Sequence, residues 1–296
     1  VKGIGMVINV FMKEDEKVII QPPVYHPFRL VPQKNHREVV FNPLRELPEG
    51  GYEMDFENLE AVCDDKCRIL ILSNPHNPAG IVWPRETLER LASFCHSRGI
   101  IVISDEIHCD MALFGNRHIP FASVSPEAAA CSITFGAPSK TFNIAGIVSS
   151  YSVVPNDSLR HRFHEWMEAN EMNAAPLFSP IATIAAFRKG EEWRKQMLEY
   201  VEGNINFLTD YCREKMPEIK PLRPQASFLV WLDCRSLGLD HDQLIDLFIN
   251  KSGLALNDGE MFNPGGQGFM RLNVGTPRKI LKSALDRLHK AISENL

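Results

Sequence analysis

The chain reads as an open α/β protein with a mostly parallel central sheet, followed by a smaller C-terminal α+β part. Three observations carry this. Arg68-Ile-Leu-Ile-Leu-Ser73 is apolar without alternation, as a strand buried on both faces must be. From Val1 to about Val153, short β-rich runs alternate with longer helical patterns, the signature of strand–helix–strand units covered on both sides. After about residue 185 the texture changes to long helical stretches between isolated strands. The expected division is 1–187 for the large domain and 188–296 for the small one, with a helix bridging the boundary.

In chain order, Val18-Ile-Ile-Gln21 is a strand stopped by Pro22-Pro23, and Val39-Val-Phe41 is the next. The run 68–73 ends at Asn74-Pro75. Pro84 to Arg98 reads as a helix, because Leu88, Leu91, Ala92 and Cys95 fall on one stripe. Pro84 suits its first turn and Gly99 its end. Ile100-Ile-Val-Ile-Ser104 and Ser132-Ile-Thr-Phe135 are further strands. Beyond the boundary, Glu191 to Met216 is one long helix and Phe228-Leu-Val-Trp-Leu-Asp233 a strand. His241 to Lys251 is helical, Phe269-Met-Arg-Leu-Asn273 is a strand, and Arg278 to Asn295 is the closing helix.

Composition excludes several classes. Of 296 residues, 44% are hydrophobic and 23% charged, with 32 basic against 37 acidic side chains and a net charge of −5. A mild acid without a Lys/Arg block has no broad electrostatic reason to bind nucleic acid or an anionic membrane. No apolar run approaches the length of a membrane span. The start has no basic segment followed by an apolar stretch, so no signal peptide is read. Seven cysteines are scattered, and only Cys63 and Cys67 lie close, with no second pair at metal-ligand spacing. Reduced thiols in the cytoplasm and no metal site are expected. The chain opens on Val1 and runs into Lys2-Gly-Ile-Gly-Met6 with helix-like spacing, which reads as the middle of a domain and hence as an N-terminal truncation.

Ligands of open α/β sheets bind outside the carboxyl ends of the strands. Three polar segments fall there: Ser73-Asn-Pro-His-Asn-Pro-Ala-Gly80, Ser104-Asp-Glu-Ile-His108, and Phe135-Gly-Ala-Pro-Ser-Lys-Thr-Phe-Asn143. Alone, each has an ordinary reading. Asn-Pro forms turns, an Asp at a strand end caps a helix, and a Lys after Pro-Ser sits on the surface.

Together, in this order, they resemble the pyridoxal-phosphate (PLP) enzymes of fold type I, the class I/II aminotransferase family. The resemblance runs from Val1 to the C-terminus. It implies the aspartate-aminotransferase-like PLP-dependent transferase fold, and that the family's N-terminal segment is absent here. It implies that Lys140 forms the Schiff base with PLP and then takes the substrate Cα proton. It implies that Asp105 pairs with the pyridinium nitrogen, Asn77 donates to the ring's phenolic oxygen, and Tyr25 in Pro22-Pro-Val-Tyr-His-Pro-Phe28 stacks on the ring. Arg271, in Gly268-Phe-Met-Arg-Leu-Asn-Val-Gly-Thr-Pro277, is implied to grip the substrate α-carboxylate as a fork. For the phosphate, Gly3, Ile4 and Gly5 fall where the family offers helix N-terminal amides, and Ser139 offers a hydroxyl. Two positions depart from aminotransferase relatives: Val148 stands where many carry an Arg, and Ala137 where many carry a Ser.

The tail of the Asp motif narrows the group. His108 stands where typical aminotransferases carry Tyr. Asp105-Glu-Ile-His-Cys-Asp110, His118-Ile-Pro-Phe-Ala-Ser123, Ala137-Pro-Ser-Lys-Thr-Phe-Asn-Ile-Ala-Gly146 and Leu256-Asn-Asp-Gly-Glu-Met-Phe262 resemble the MalY/PatB carbon–sulfur β-lyases. The implied reaction is α,β-elimination of cystathionine or another cysteine S-conjugate to thiol, pyruvate and ammonia. His108 either bonds the phenolic oxygen or merely packs. His118 is read as structural, and Glu106 as a helix-start or supporting carboxylate. A true aminotransferase with a 2-keto acid acceptor shares nearly every residue named, and a non-catalytic PLP-fold regulatory domain is the reading from another class. The resemblance also implies a homodimer with the active site at the subunit interface.

Overall fold

The computed structural model describes residues 1–295. The order of elements is α1 (Lys2–Phe11), β1 (Lys17–Ile20), α2 (Pro27–Lys34), β2 (Glu38–Phe41), β3 (Arg45–Glu46), β4 (Tyr52–Glu53), α3 (Phe56–Val62) and β5 (Cys67–Ser73). There follow α4 (Arg85–Ser97), β6 (Ile101–Asp105), α5 (Pro126–Cys131), β7 (Ser132–Gly136), β8 (Tyr151–Val153), α6 (Asp157–Ala169), α7 (Phe178–Lys189) and α8 (Glu191–Lys215). The chain continues through β9 (Lys220–Leu222), β10 (Leu229–Asp233), α9 (His241–Asp246), β11 (Asn257–Asp258), β12 (Phe269–Asn273) and α10 (Arg278–Asn295).

Six strands form one sheet in the order β2-β1-β5-β6-β7-β8. All pairings are parallel except that of β8, which runs antiparallel to β7. The apolar run of β5 serves both faces by simple alternation. Leu70 and Leu72 join Leu88, Leu91, Ala92 and Cys95 of α4 on one side. Ile69 and Ile71 join Ile4, Val7, Ile8 and Phe11 of α1 on the other. The strands therefore need no polar face, and the polar residues collect at their carboxyl ends.

A second, antiparallel sheet has the order β11-β12-β10-β9. Val230, Leu232, Met270 and Leu272 turn towards α8 and α10. On the opposite face, Trp231 stacks on Phe269 at 5.1 Å and donates its Nε1–H to Tyr52 Oη at 3.2 Å. These aromatics belong to the same buried cluster as α4, so the two sheets share a core.

Two local readings are corrected, and one is extended: α7 runs across 187/188 as the expected bridging helix and ends at Gly190, ahead of α8. A Cβ there would lie 2.5 Å from both Ala186 O and the Phe142 ring, so the close approach of that ring requires glycine. The stretch 241–251 is not one α-helix: a capping box on Asp240 and Gln243 starts α9, and residues 247–251 widen into a π-turn. The wider turn lets the consecutive Leu247 and Phe248 both stay buried. Pro84 is the N-cap of α4, one residue ahead of its first turn.

Candidate active site

The carboxyl ends of β5, β6 and β7 carry the three polar segments and tie them together. Asn74 N–H donates to Asp105 O at 3.0 Å, and Glu106 N–H donates to Phe135 O at 2.8 Å. Ser73 Oγ accepts Asn77 N–H at 3.0 Å, and Asn77 O accepts Tyr25 N–H at 3.1 Å. The loop after β1 is thereby fixed to the loop after β5.

From the second sheet, Arg271 reaches across to this cluster. Its Nη1 donates to Asn77 Oδ1 at 2.8 Å and its Nη2 to Asn257 Oδ1 at 2.6 Å. Its Cζ lies 4.8 Å from the centre of the Phe262 ring. Burial pulls the guanidinium down to about 10, opposed by Tyr25. Its Nε is buried with no protein partner. Tyr25 is half-buried beside it. Burial raises the Tyr25 phenol, Arg271 opposes that rise, and Asp105 adds to it.

Asp105 ends β6 and accepts Ile107 N–H at 3.3 Å. Burial pushes its carboxyl up. The Ile107 amide and Lys140 pull it down, and Glu106 raises it further. A carboxylate so placed gains from a cation it can pair with. His108 is buried, its ring edge-on to Phe228 at 6.0 Å, and its Nδ1 has no protein partner. Burial, then the charges of Lys140 and Arg271, push its pKa down to about 3, so it is neutral at physiological pH.

Lys140 is exposed and lines a cavity of about 680 Å³ together with Ser139 and Thr141. Of the expected phosphate group, Ile4 is fully buried among the apolar residues of α1, so its side chain offers nothing to a ligand. What Gly3 and Ile4 can offer is their amides, which precede the first intrahelical bond of α1, Gly5 N–H to Val1 O. A Cβ on Gly3 would strike the Phe135 ring at 2.4 Å, so this helix end packs against β7 only as glycine. Val148 is exposed with φ +52°, and Ala137 is buried.

Glu106 and His118 form a buried pair with Oε2 and Nε2 2.8 Å apart. Glu106 Oε1 also accepts Ser104 Oγ–H and Phe121 N–H, each at 2.8 Å. Both side chains are thus committed to holding the turn after β6. Asn257 and Phe262, the companions of Arg271, lie within the motif 256–262, but nothing in the sequence gives them that role. Among the described residues no group of three His, Cys, Asp or Glu side chains is placed to hold a metal ion.

A parallel sheet whose strand ends gather a lysine, a carboxylate, an amide and a cross-sheet arginine defines an aminotransferase-type scaffold. The chain belongs to the class I and II aminotransferase family, whose model matches residues 2–288. It is 39% identical to cystathionine beta-lyase PatB of Bacillus subtilis over 294 residues, which is 99% of this chain and 76% of that protein. It is 32% identical to protein MalY of Escherichia coli over 98% of this chain and 74% of that one. Cystalysin of Treponema denticola, a crystal structure containing PLP, superposes with a TM-score of 0.95 at 30% identity. That match covers 98% of this chain and 74% of cystalysin.

Proposed function

We propose that this protein is a PLP-dependent carbon–sulfur β-lyase. It eliminates the sulfur substituent of cystathionine or another cysteine S-conjugate and, with one water to hydrolyse the remaining imine, gives thiol, pyruvate and ammonia. The observation that carries the reading is the convergence of Lys140, Asp105, Asn77, His108 and Arg271 in a chain 39% identical to a cystathionine β-lyase.

The donor set fits the cofactor. Buried polar atoms without protein partners, His108 Nδ1 and Arg271 Nε, wait at the site. Asp105, its carboxyl raised by burial, suits a pyridinium N–H, and the free amides at the start of α1 suit a phosphate. With PLP bound, Lys140 would hold its aldehyde carbon, Asn77 Nδ2 and neutral His108 would serve the phenolic oxygen, Tyr25 would cover the ring, and Ser139 would support the phosphate. When bound, PLP supplies the electron sink for a carbanion at the substrate Cα.

This chain's residues do the rest. Arg271 orients the substrate by its α-carboxylate, using Nε and the Nη hydrogens that Asn77 and Asn257 leave over. The Lys140 ε-amine would act as the base that takes the substrate Cα proton. The sulfur then leaves as a thiolate, which needs little acid assistance.

We also propose a cytoplasmic homodimer acting on a small amino acid, with no nucleic-acid or membrane partner, and a domain division at 187/188. Support comes from the net charge of −5, seven free cysteines, and apolar side chains exposed along α7, including Phe178, Ile181 and Ile184. No described helix is long and apolar enough to cross a membrane. The test is the protein reconstituted with PLP and given L-cystathionine without a keto acid. Pyruvate and homocysteine should accumulate in equal amounts over many turnovers. Pyruvate that stays at background, with amino transfer appearing only when a keto acid is added, would favour an aminotransferase.

A further inference from the structure

We propose that the cavity beside Lys140 seats the substituent on the substrate's sulfur and selects an uncharged, apolar one. Alkyl and benzyl thioethers of cysteine would then be better substrates than cystathionine, whose far end is a zwitterion. The inference rests on the lyase reading above and names the substrate class of that same site.

The cavity, of about 680 Å³, is walled by Trp193, Met197, Tyr200 and Val201 of α8 and by Phe228. It borders the proposed catalytic cluster at three points. Lys140 lines it. The Phe228 ring meets His108 edge-on at 6.0 Å. Asn273, also in its wall, follows Arg271 by two residues on β12 and so shares its face of the strand. A substrate held by its carboxylate on Arg271, with Cα at the lysine, has this cavity within reach of its side chain.

The lining decides the chemistry. Lys140, which is spent on the cofactor and the Cα proton, is the sole charged side chain among the described residues of the wall. The other polar side chains there are neutral, Ser139, Thr141, Asn143 and Thr276 among them, and three are already engaged: Tyr200 Oη accepts Arg278 N–H at 2.7 Å, Gln196 Nε2 donates to Glu192 at 2.8 Å, and Asn273 Oδ1 accepts Gly275 N–H at 2.8 Å. A distal ammonium and carboxylate would therefore lose water without gaining partners of opposite charge, which is unfavourable. Trp193 and Tyr200, at 47% and 48% exposure, instead present large apolar surface for an alkyl or aromatic group to cover.

The test compares kcat/KM of the holoenzyme for S-benzyl-L-cysteine, S-methyl-L-cysteine and L-cystathionine, read as pyruvate. S-benzyl-L-cysteine should exceed cystathionine by roughly tenfold, the scale of discrimination an apolar pocket achieves. Trp193→Ala should lower the S-benzyl to S-methyl ratio by roughly tenfold, and Met197→Arg should raise cystathionine relative to S-benzyl-L-cysteine. Pyruvate from S-methyl-L-cysteine, with cystathionine preferred and both ratios unmoved in the variants, would overturn this inference and leave the lyase standing. No pyruvate from any of the three would overturn the lyase reading and this inference with it.

Discussion

Arg271 and Asn77, 194 residues apart in sequence, are joined by a hydrogen bond of 2.8 Å from Nη1 to Oδ1. The group proposed to hold the substrate carboxylate thus leans on the group proposed to hold the cofactor's phenolic oxygen. Asn77→Ala should weaken both at once. A hydrogen bond to a charged group contributes about 1.5–3 kcal/mol, so KM should rise roughly tenfold to a hundredfold. PLP affinity should fall alongside. Titration of PLP into the apo variant, paired with steady-state kinetics, checks this. A change in only one of the two constants would mean the contact does not couple them.

Arg271→Lys keeps the charge but loses the planar fork. Its KM should rise by roughly tenfold or more, with kcat falling less, because carboxylate binding is made in the ground state and kept in the transition state. An unaltered KM in steady-state assays would remove Arg271 from the substrate site.

His76 and His108 are both pushed down to about 3 by burial. Free histidine titrates near 6.5. As pH falls from about 6.5 towards about 3, the unfolded chain takes up protons that the folded one refuses. Stability is lost across that window, by up to roughly 1.4 kcal/mol per pH unit for each histidine. Urea denaturation of the apo protein at several pH values should show this loss, and His108→Gln should make it shallower. Equal slopes for the variant and the parent would show that His108 is not held neutral.

Trp231 lies between the two sheets, stacked on Phe269 and fully buried. Trp231→Ala should cost about 3–5 kcal/mol of unfolding free energy, measured by urea denaturation. A loss below about 1 kcal/mol would contradict a core shared by the two sheets.

The strand ends were legible because their chemistry is local. An apolar run must stop where polar residues begin, so Ser73, Asp105 and Gly136 marked the rim, and Lys140 followed one of them within a few residues. The family resemblance then assigned roles that spacing alone could not. What stayed hidden was made by distant segments meeting. Asn257 is an ordinary strand residue until Arg271 is aligned against it. The neutrality of His108 comes from its burial and from Lys140 and Arg271, none of which its neighbours in sequence announce. The break at Gly190 depends on Phe142, nearly fifty residues earlier. Ile4 can offer a ligand only its backbone amide, because its side chain belongs to the α1 core.

In the proposed function the Lys140 amine performs the proton transfer on which elimination depends. The most direct measurement is pyruvate release from L-cystathionine by Lys140→Ala in the presence of PLP, beside the parent protein at equal concentration. Turnover should fall to the rate of PLP free in solution, with the far-ultraviolet circular dichroism of the variant matching the parent. A folded Lys140→Ala protein that turns over cystathionine at a rate near the parent's would contradict that role.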